Sequence, residues 1–266
     1  MEKEIIIFFR GVHMNILVSN DDGIFAPGVY TLVSVLKNFA QVTVVCPDSQ
    51  KSGFGHSITV SKPIRPRKVN LMEDVLAYQV DGTPADCIKI ALEKLCPSMP
   101  DLVISGVNAG ANVGQDIYYS GTIGAAREAA MYGIPAMAFS LARDDREQLD
   151  FEKSKTILYA LLEKLLTLSI PKHEFLNINL PCLSNEELQG IKVVQPEVTN
   201  KKFDYMEVKD PKKNTAFWLS NRYLSMDNNS GEADYQYLKE GFVTISTLSI
   251  LLKEPHFSES IMKLFN

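Results

Sequence analysis

Two adjacent carboxylates, Asp21 and Asp22, end the run "MNILVSNDD" and are followed at once by Gly23. Carboxylates this close repel each other unless a cation or a proton lies between them. In a regular strand, neighbouring side chains point to opposite faces, but where a strand breaks into a turn both can aim at one ion. Magnesium and manganese favour oxygen donors and keep several waters, so two carboxylates joined by neutral Asn or Ser oxygens make a sensible site. "NDDG" is equally a good turn, with Asn or Asp bonding the nearby backbone and Gly23 supplying a positive φ. The two readings are compatible.

Two further loops carry reactive or ligand-binding residue types. "CPDSQKSGFGHS" contains His56, whose imidazole can serve as a general acid or base. "SGVNAGANVGQDIYYSGT" is far longer than the ~2–6 residues that usually join a strand to a helix. It leads into "SGTIGAA", where Ser120 or Thr122 can cap a helix whose free N–H groups suit a phosphate. The small residues Gly124, Ala125, Ala126, Ala129 and Ala130 also permit close helix packing. The chain has no G-x-S-x-G elbow, no phosphate loop of the G-x-x-x-x-G-K-[ST] type and no G-x-G-x-x-G after its first strand. Serine hydrolases, P-loop ATPases and dinucleotide-binding enzymes are therefore disfavoured. Adjacent aspartates also lack the D-x-D spacing of haloacid-dehalogenase phosphatases.

The elements that must hold these loops are legible in the hydrophobic pattern. "NILVSN", "QVTVVCP", "DLVISGVN", "IPAMAFSLA" and "FLNINLP" read as buried strands. Between them "PGVYTLVSVLKNFA", "TPADCIKIALEKL", "GTIGAAREAAMYG" and "FEKSKTILYALLEKLLTL" read as helices, with Thr83 the N-cap of the second. "ITVSKPIRPRKV" and "VLAYQVDG" are extended segments. Such β–α–β alternation predicts an α/β fold: a mainly parallel sheet with helices on both faces and right-handed crossovers. Ligands of open α/β sheets bind beyond the carboxyl ends of the strands, where all three loops fall. From Lys192 onward, "IKVVQP", "TAFWLS" and "GFVTIS" are short strands between polar loops such as "TNKKFDYMEVKDPKKN" and "SMDNNSGEADYQYLKEG". They predict a C-terminal antiparallel appendage.

Composition narrows the class further. With 266 residues, 45% hydrophobic and 22% charged, the chain is an ordinary folded protein, and a net charge of -5 argues against a stable nucleic-acid partner. Cys46, Cys87, Cys96 and Cys182 lack zinc or disulfide spacing and fit reduced thiols in the cytoplasm. No apolar stretch is long enough to span a bilayer. The leader "MEKEIIIFFRGVH" makes a poor signal peptide and reads as a short extension or an upstream start-site choice.

Taken in order, "MNILVSNDDG", "PDSQKSGFGHS", "DGTPADC", "LVISGVNAGANVGQDIYYSGT" and "LNINLP" resemble the SurE family of 5'/3'-nucleotidases, from Met14 to about Ser246. The resemblance implies a Rossmann-like three-layer core over residues 14–190. Residues 191–266 would form a hairpin and tail used in assembling a homodimer or homotetramer. It implies one divalent ion per subunit, Mg2+ or Mn2+, held by Asp21, Asp22, Ser52 and Asn108. It implies a catalytic Asn20 beside the aspartates, and Ser105, Gly106, Asn108, Ser120, Gly121 and Thr122 on the phosphate side. The expected reaction is hydrolysis of nucleoside 5'- or 3'-monophosphates. A broader acid-type phosphatase or exopolyphosphatase, or a nucleotide sensor without turnover, stays open.

Overall fold

The computed structural model describes residues 14–144, 146–197, 202–224 and 234–251. The reading of residues 1–13 as an extension lies outside these, as does the tail beyond residue 251. The opening apolar run forms β1 (Asn15–Ser19), with Ile16, Leu17 and Val18 buried. β2 (Gln41–Pro47) and β5 (Leu102–Ala109) flank it in parallel. β4 (Leu76–Val80), β6 (Ala136–Leu141) and β7 (Glu174–Leu180) extend the parallel sheet outward. β3 (Pro66–Val69) closes one edge antiparallel to β4. At the other edge β11 (Phe242–Ser249) runs antiparallel to β7 and carries β8 (Gly190–Val193) in parallel. The nine strands lie in the order β3-β4-β2-β1-β5-β6-β7-β11-β8.

Helices cover both faces. α1 (Pro27–Leu36) and α4 (Phe151–Leu165) bury Val29, Leu32, Ile157 and Leu162 in one apolar cluster. α2 (Pro84–Ile90) and α3 (Gly121–Met131) bury Cys87, Ile88, Ile123 and Ala126 in a second cluster across the sheet. Thr83 caps α2 as its sequence predicts, accepting from the Asp86 amide at 3.1 Å while the Asp86 carboxylate accepts from the Thr83 amide at 2.9 Å. This reciprocal box satisfies two of the helix's orphan donors. The expected α/β fold is the one observed.

The C-terminal third differs in detail. "TAFWLS" belongs to a separate hairpin, but "IKVVQP" and "GFVTIS" fall in β8 and β11 and widen the main sheet. The hairpin pairs β9 (Lys202–Lys209) with β10 (Thr215–Leu224), so half of it comes from a segment that reads as a polar loop. Its turn is closed by Asp210, whose Oδ1 accepts the amides of Lys212 and Asn214 at 2.8 Å. α5 (Asp234–Lys239) also lies in a stretch that reads as loop. Its buried residues Asp234 and Leu238 make a stripe too short for periodicity to reveal.

Candidate metal and phosphate site

Strand order fixes where a ligand can enter. From β1 the chain moves to β2 and β4 on one side, then returns to β5 on the other, so the sheet changes direction between β1 and β5. Crevices open at such switch points, beyond the strands' carboxyl ends. The "NDDG" turn leaves β1 there, and Asn108 stands near the end of β5. The turn is made as its residues predict. Gly23 has φ +103°, and Asn20 binds it at both ends, Nδ2 donating to Gly23 O at 3.0 Å and Oδ1 accepting the Gly23 amide at 3.3 Å.

Backbone and side-chain bonds tie the three loops to the two aspartates. The Lys51 amide donates to Asp21 O at 2.7 Å, which brings the loop carrying Ser52 against the turn. The Ala109 amide donates to Asp22 Oδ2 at 2.9 Å, which does the same for the end of β5 that carries Asn108. The Thr122 hydroxyl donates to Asp21 Oδ1, so the first turn of α3 also ends on Asp21. Ser120 caps that helix, its Oγ accepting from the Ile123 amide at 3.1 Å. Gly121 is pressed against the same carboxylate: a Cβ there would lie 2.7 Å from Asp21 Cβ.

The electrostatics follow from burial. Asp21 is only 3% exposed, and desolvation pushes its carboxyl up to about 6 from 3.8, with hydrogen bonding from Thr122 opposing and the Asp22 charge adding to the rise. Burial also raises Asp22, opposed by the Ala109 amide and by Arg143. Two neighbouring carboxyls that both resist ionisation form a place where a divalent cation relieves the strain of charge. The other expected donors are Asn108, whose Nδ2 donates to Gly110 O at 2.7 Å, and the exposed Ser52, whose Oγ accepts from Gln50 Nε2 at 2.9 Å. Among the described residues no group of three or more His, Cys, Asp and Glu side chains gathers to hold a metal. An all-oxygen set of two carboxylates, an amide and a hydroxyl suits Mg2+ or Mn2+ and does not suit zinc.

The remaining expected residues are spread in depth. Gly121 and Thr122 are buried beneath Asp21. Ser105 is fully buried inside β5, its Oγ without a hydrogen-bond partner. His56 is committed to the buried Glu128, with Nε2 2.7 Å from Oε2. Sequence reasoning missed the device that holds the long loop. The Asn112 amide donates to Asn179 Oδ1 at 2.7 Å, Asn112 Nδ2 donates to Ser140 Oγ at 2.8 Å, and Asn177 Nδ2 donates to Asn112 O at 2.9 Å. Its signal was the alternation in "LNINLP", which puts both asparagines on one face of an otherwise apolar strand.

Known proteins share this arrangement of elements. The family described as survival protein SurE matches residues 16–202. The chain is 37% identical over 249 residues to the 5'-nucleotidase SurE of Petrotoga mobilis, covering 93% of this chain and 98% of that protein. It is 40% identical over 235 residues to the 5'-nucleotidase SurE of Histophilus somni, covering 88% and 92%. The crystal structure of the SurE protein from Aquifex aeolicus superposes with a TM-score of 0.80 at 35% identity, covering 95% of this chain and all 100% of the other.

Proposed function

The chain belongs to the survival protein SurE family, and on that footing we propose that it is a divalent-metal-dependent phosphomonoesterase that hydrolyses nucleoside 5'- or 3'-monophosphates. One observation carries the reading: Asp21 joins the paired carboxylates to the N-terminus of α3 through the Thr122 hydroxyl. A helix N-terminus offers unpaired N–H groups and a positive dipole end to an anion. On this reading a cation's donors and a phosphate's donors would sit side by side.

Asp21, Asp22, Ser52 and Asn108 would hold one Mg2+ or Mn2+ per subunit. When bound, such an ion neutralises phosphate oxygens and lowers the pKa of a coordinated water. The protein's own part is positioning and charge placement, which dominate catalysis of phosphoryl transfer. Thr122 holds Asp21 in one rotamer, and the Ala109 amide does the same for Asp22. Asn20 locks the turn that makes neighbouring carboxylates converge. The start of α3, at Ser120, Gly121 and Thr122, would be the side offered to the phosphoryl oxygens. Gly106 and Ser105, buried in β5, would lie beneath them.

The test is release of inorganic phosphate from AMP, GMP, 3'-AMP, a sugar phosphate and polyphosphate, with Mg2+, Mn2+ or EDTA. Turnover of nucleotides that EDTA removes and Mn2+ or Mg2+ restores is the expected result. Preference for polyphosphate or the sugar phosphate moves the assignment to a broader phosphatase. Saturable nucleotide binding without phosphate release in any ion makes it a sensor.

We also propose a homodimer or homotetramer built through the β9–β10 hairpin. An isolated two-stranded hairpin is marginal in water, yet this one exposes Tyr205, Met206, Phe217 and Trp218, each more than half accessible. A second copy of the chain is the partner that covers them. Light scattering on the eluting protein is expected to give a dimer or tetramer mass; a monomer at all concentrations overturns this arm of the proposal. Reduced, free thiols at all four cysteines fit a cytoplasmic protein. Among the described residues no helix is long and apolar enough to cross a membrane.

A further inference from the structure

Glu128 lies in α3 with a side chain only 4% exposed, and it binds two other elements at once. Lys89 of α2 places Nζ 2.9 Å from Oε1, over the Tyr132 ring at 5.4 Å. His56, in the loop that carries Ser52, places Nε2 2.7 Å from Oε2. Burial alone would raise the Glu128 carboxyl, but the hydrogen bonds from His56 and Lys89 outweigh it and hold the group below its ordinary value. The phosphatase reading gives this cluster no part.

The loop itself is seated at several points. The Gly55 amide donates to Tyr119 O at 2.9 Å, and Gly55 O packs where a Cβ on Gly124 of α3 would lie 2.6 Å away. Farther along, Thr83 Oγ1 donates to Ser57 O at 2.7 Å and the Thr59 amide donates to Asp86 Oδ1 at 3.0 Å. These bonds hold the loop's far end to α2. Toward Ser52 the loop is exposed from residue 52 to residue 54; before this stretch the Lys51 amide ties the chain to Asp21 O at 2.7 Å, and after it the nearest side chain with a buried charged partner is His56.

We propose that His56 is a positioning residue for the cation site: through Glu128 it clamps the loop to α3, and thereby sets Ser52 relative to Asp21 and Asp22. This inference rests on the donor set proposed above. His56 touches neither ion nor substrate, so its loss acts on cation affinity through geometry alone. Groups that orient metal ligands from outside typically change affinity ~10–100-fold when removed, and His56, acting through a loop, belongs at the lower end.

The test is direct Mn2+ binding to the full chain, by calorimetry or by the paramagnetic resonance signal of free Mn2+, with no substrate present. His56→Ala is expected to raise the Kd for Mn2+ about tenfold while circular dichroism remains that of the wild type. His56→Gln, which keeps an N–H donor of similar reach, is expected to recover most of the affinity. His56→Asn, one methylene shorter, is expected to resemble the Ala variant, and it carries the test should His56→Ala fail to fold. Unaltered Mn2+ affinity in His56→Ala or His56→Asn, with Ser52→Ala weakened, overturns the role given to His56. Equal loss in the Gln and Asn variants overturns the hydrogen bond as its cause. No Mn2+ binding to the wild type, or unaltered binding in Ser52→Ala, overturns the donor set itself.

Discussion

Asp21→Asn is expected to remove metal-dependent phosphate release from AMP by at least ~10²–10³-fold, the loss typical when one electrostatic partner of a transition state is deleted. It is also expected to raise the melting temperature of the metal-free protein. The second effect follows from burial. The folded Asp21 carboxyl lies at about 6 against an ordinary 3.8, so in the unfolded chain the proton leaves first. Stability of the metal-free protein therefore falls as pH rises from about 4 to about 6 and is level above. The full penalty converts to about 3 kcal/mol, an upper value, since relaxation around the ionised group reduces it. Asparagine keeps an oxygen to accept from Thr122 and has no charge to bury. Each kcal/mol is worth ~2–4 °C in a chain of this size. Thermal scans in EDTA at pH 7.5 therefore separate the variants by several degrees, with Asn the more stable, and the gap closes toward pH 4. A variant less stable than wild type in EDTA would mean that Asp21 is held by bonds worth more than its desolvation.

Much of this was open to inspection before the fold. The buried strands announced themselves because β-branched and apolar runs of five to eight residues fit a sheet covered on both faces, as Ile16 to Val18 and Leu102 to Ile104 illustrate. Caps were equally plain, since Thr83 and Ser120 stand where a hydroxyl can accept a helix amide and do so. The paired aspartates read equally as a turn, and the long glycine- and asparagine-rich loop together with the order of the motifs gave them a chemical reading. What was hidden depended on tertiary pairing. Met206 and Trp218 meet across a ladder that neither segment specifies alone. Asn112, Asn177 and Asn179 read as polar interruptions until β5, β6 and β7 bring them together. His56 reads as a free acid–base candidate, and only the packing of α3 beneath its loop gives it to Glu128. Periodicity records which face of an element is buried; it does not record which polar groups share that face.

Gly121→Ala tests the close approach of α3 to Asp21. In an ordinary helix this exchange stabilises by ~0.5–1 kcal/mol because glycine loses more backbone freedom on folding. Here the new methyl would lie 2.7 Å from Asp21 Cβ, 3.0 Å from Asp21 Oδ2 and 3.0 Å from Pro84 Cγ. Three groups can yield, and two are held. α3 is fixed by its Ser120 cap and by the fully buried Ile123, and α2 by the Thr83–Asp86 box behind Pro84. Asp21 is the one left to move, and because the closest contact is with its Cβ the turn must shift with it, against the Lys51 amide bond to its carbonyl. Its displacement breaks the Thr122 hydrogen bond and turns the carboxylate away from Asp22, so the oxygens that would share a cation no longer converge. Overpacking of this kind costs ~1–3 kcal/mol, which reverses the sign expected of the substitution. A misplacement near 1 Å costs ~10²-fold in rate. The expected result is a folded protein, slightly less stable than wild type, with kcat for AMP down by about two orders of magnitude and Mn2+ affinity weakened alongside. Wild-type turnover together with raised stability would show that the start of α3 has room to spare, and the link between helix terminus and paired carboxylates would lose its tightest support.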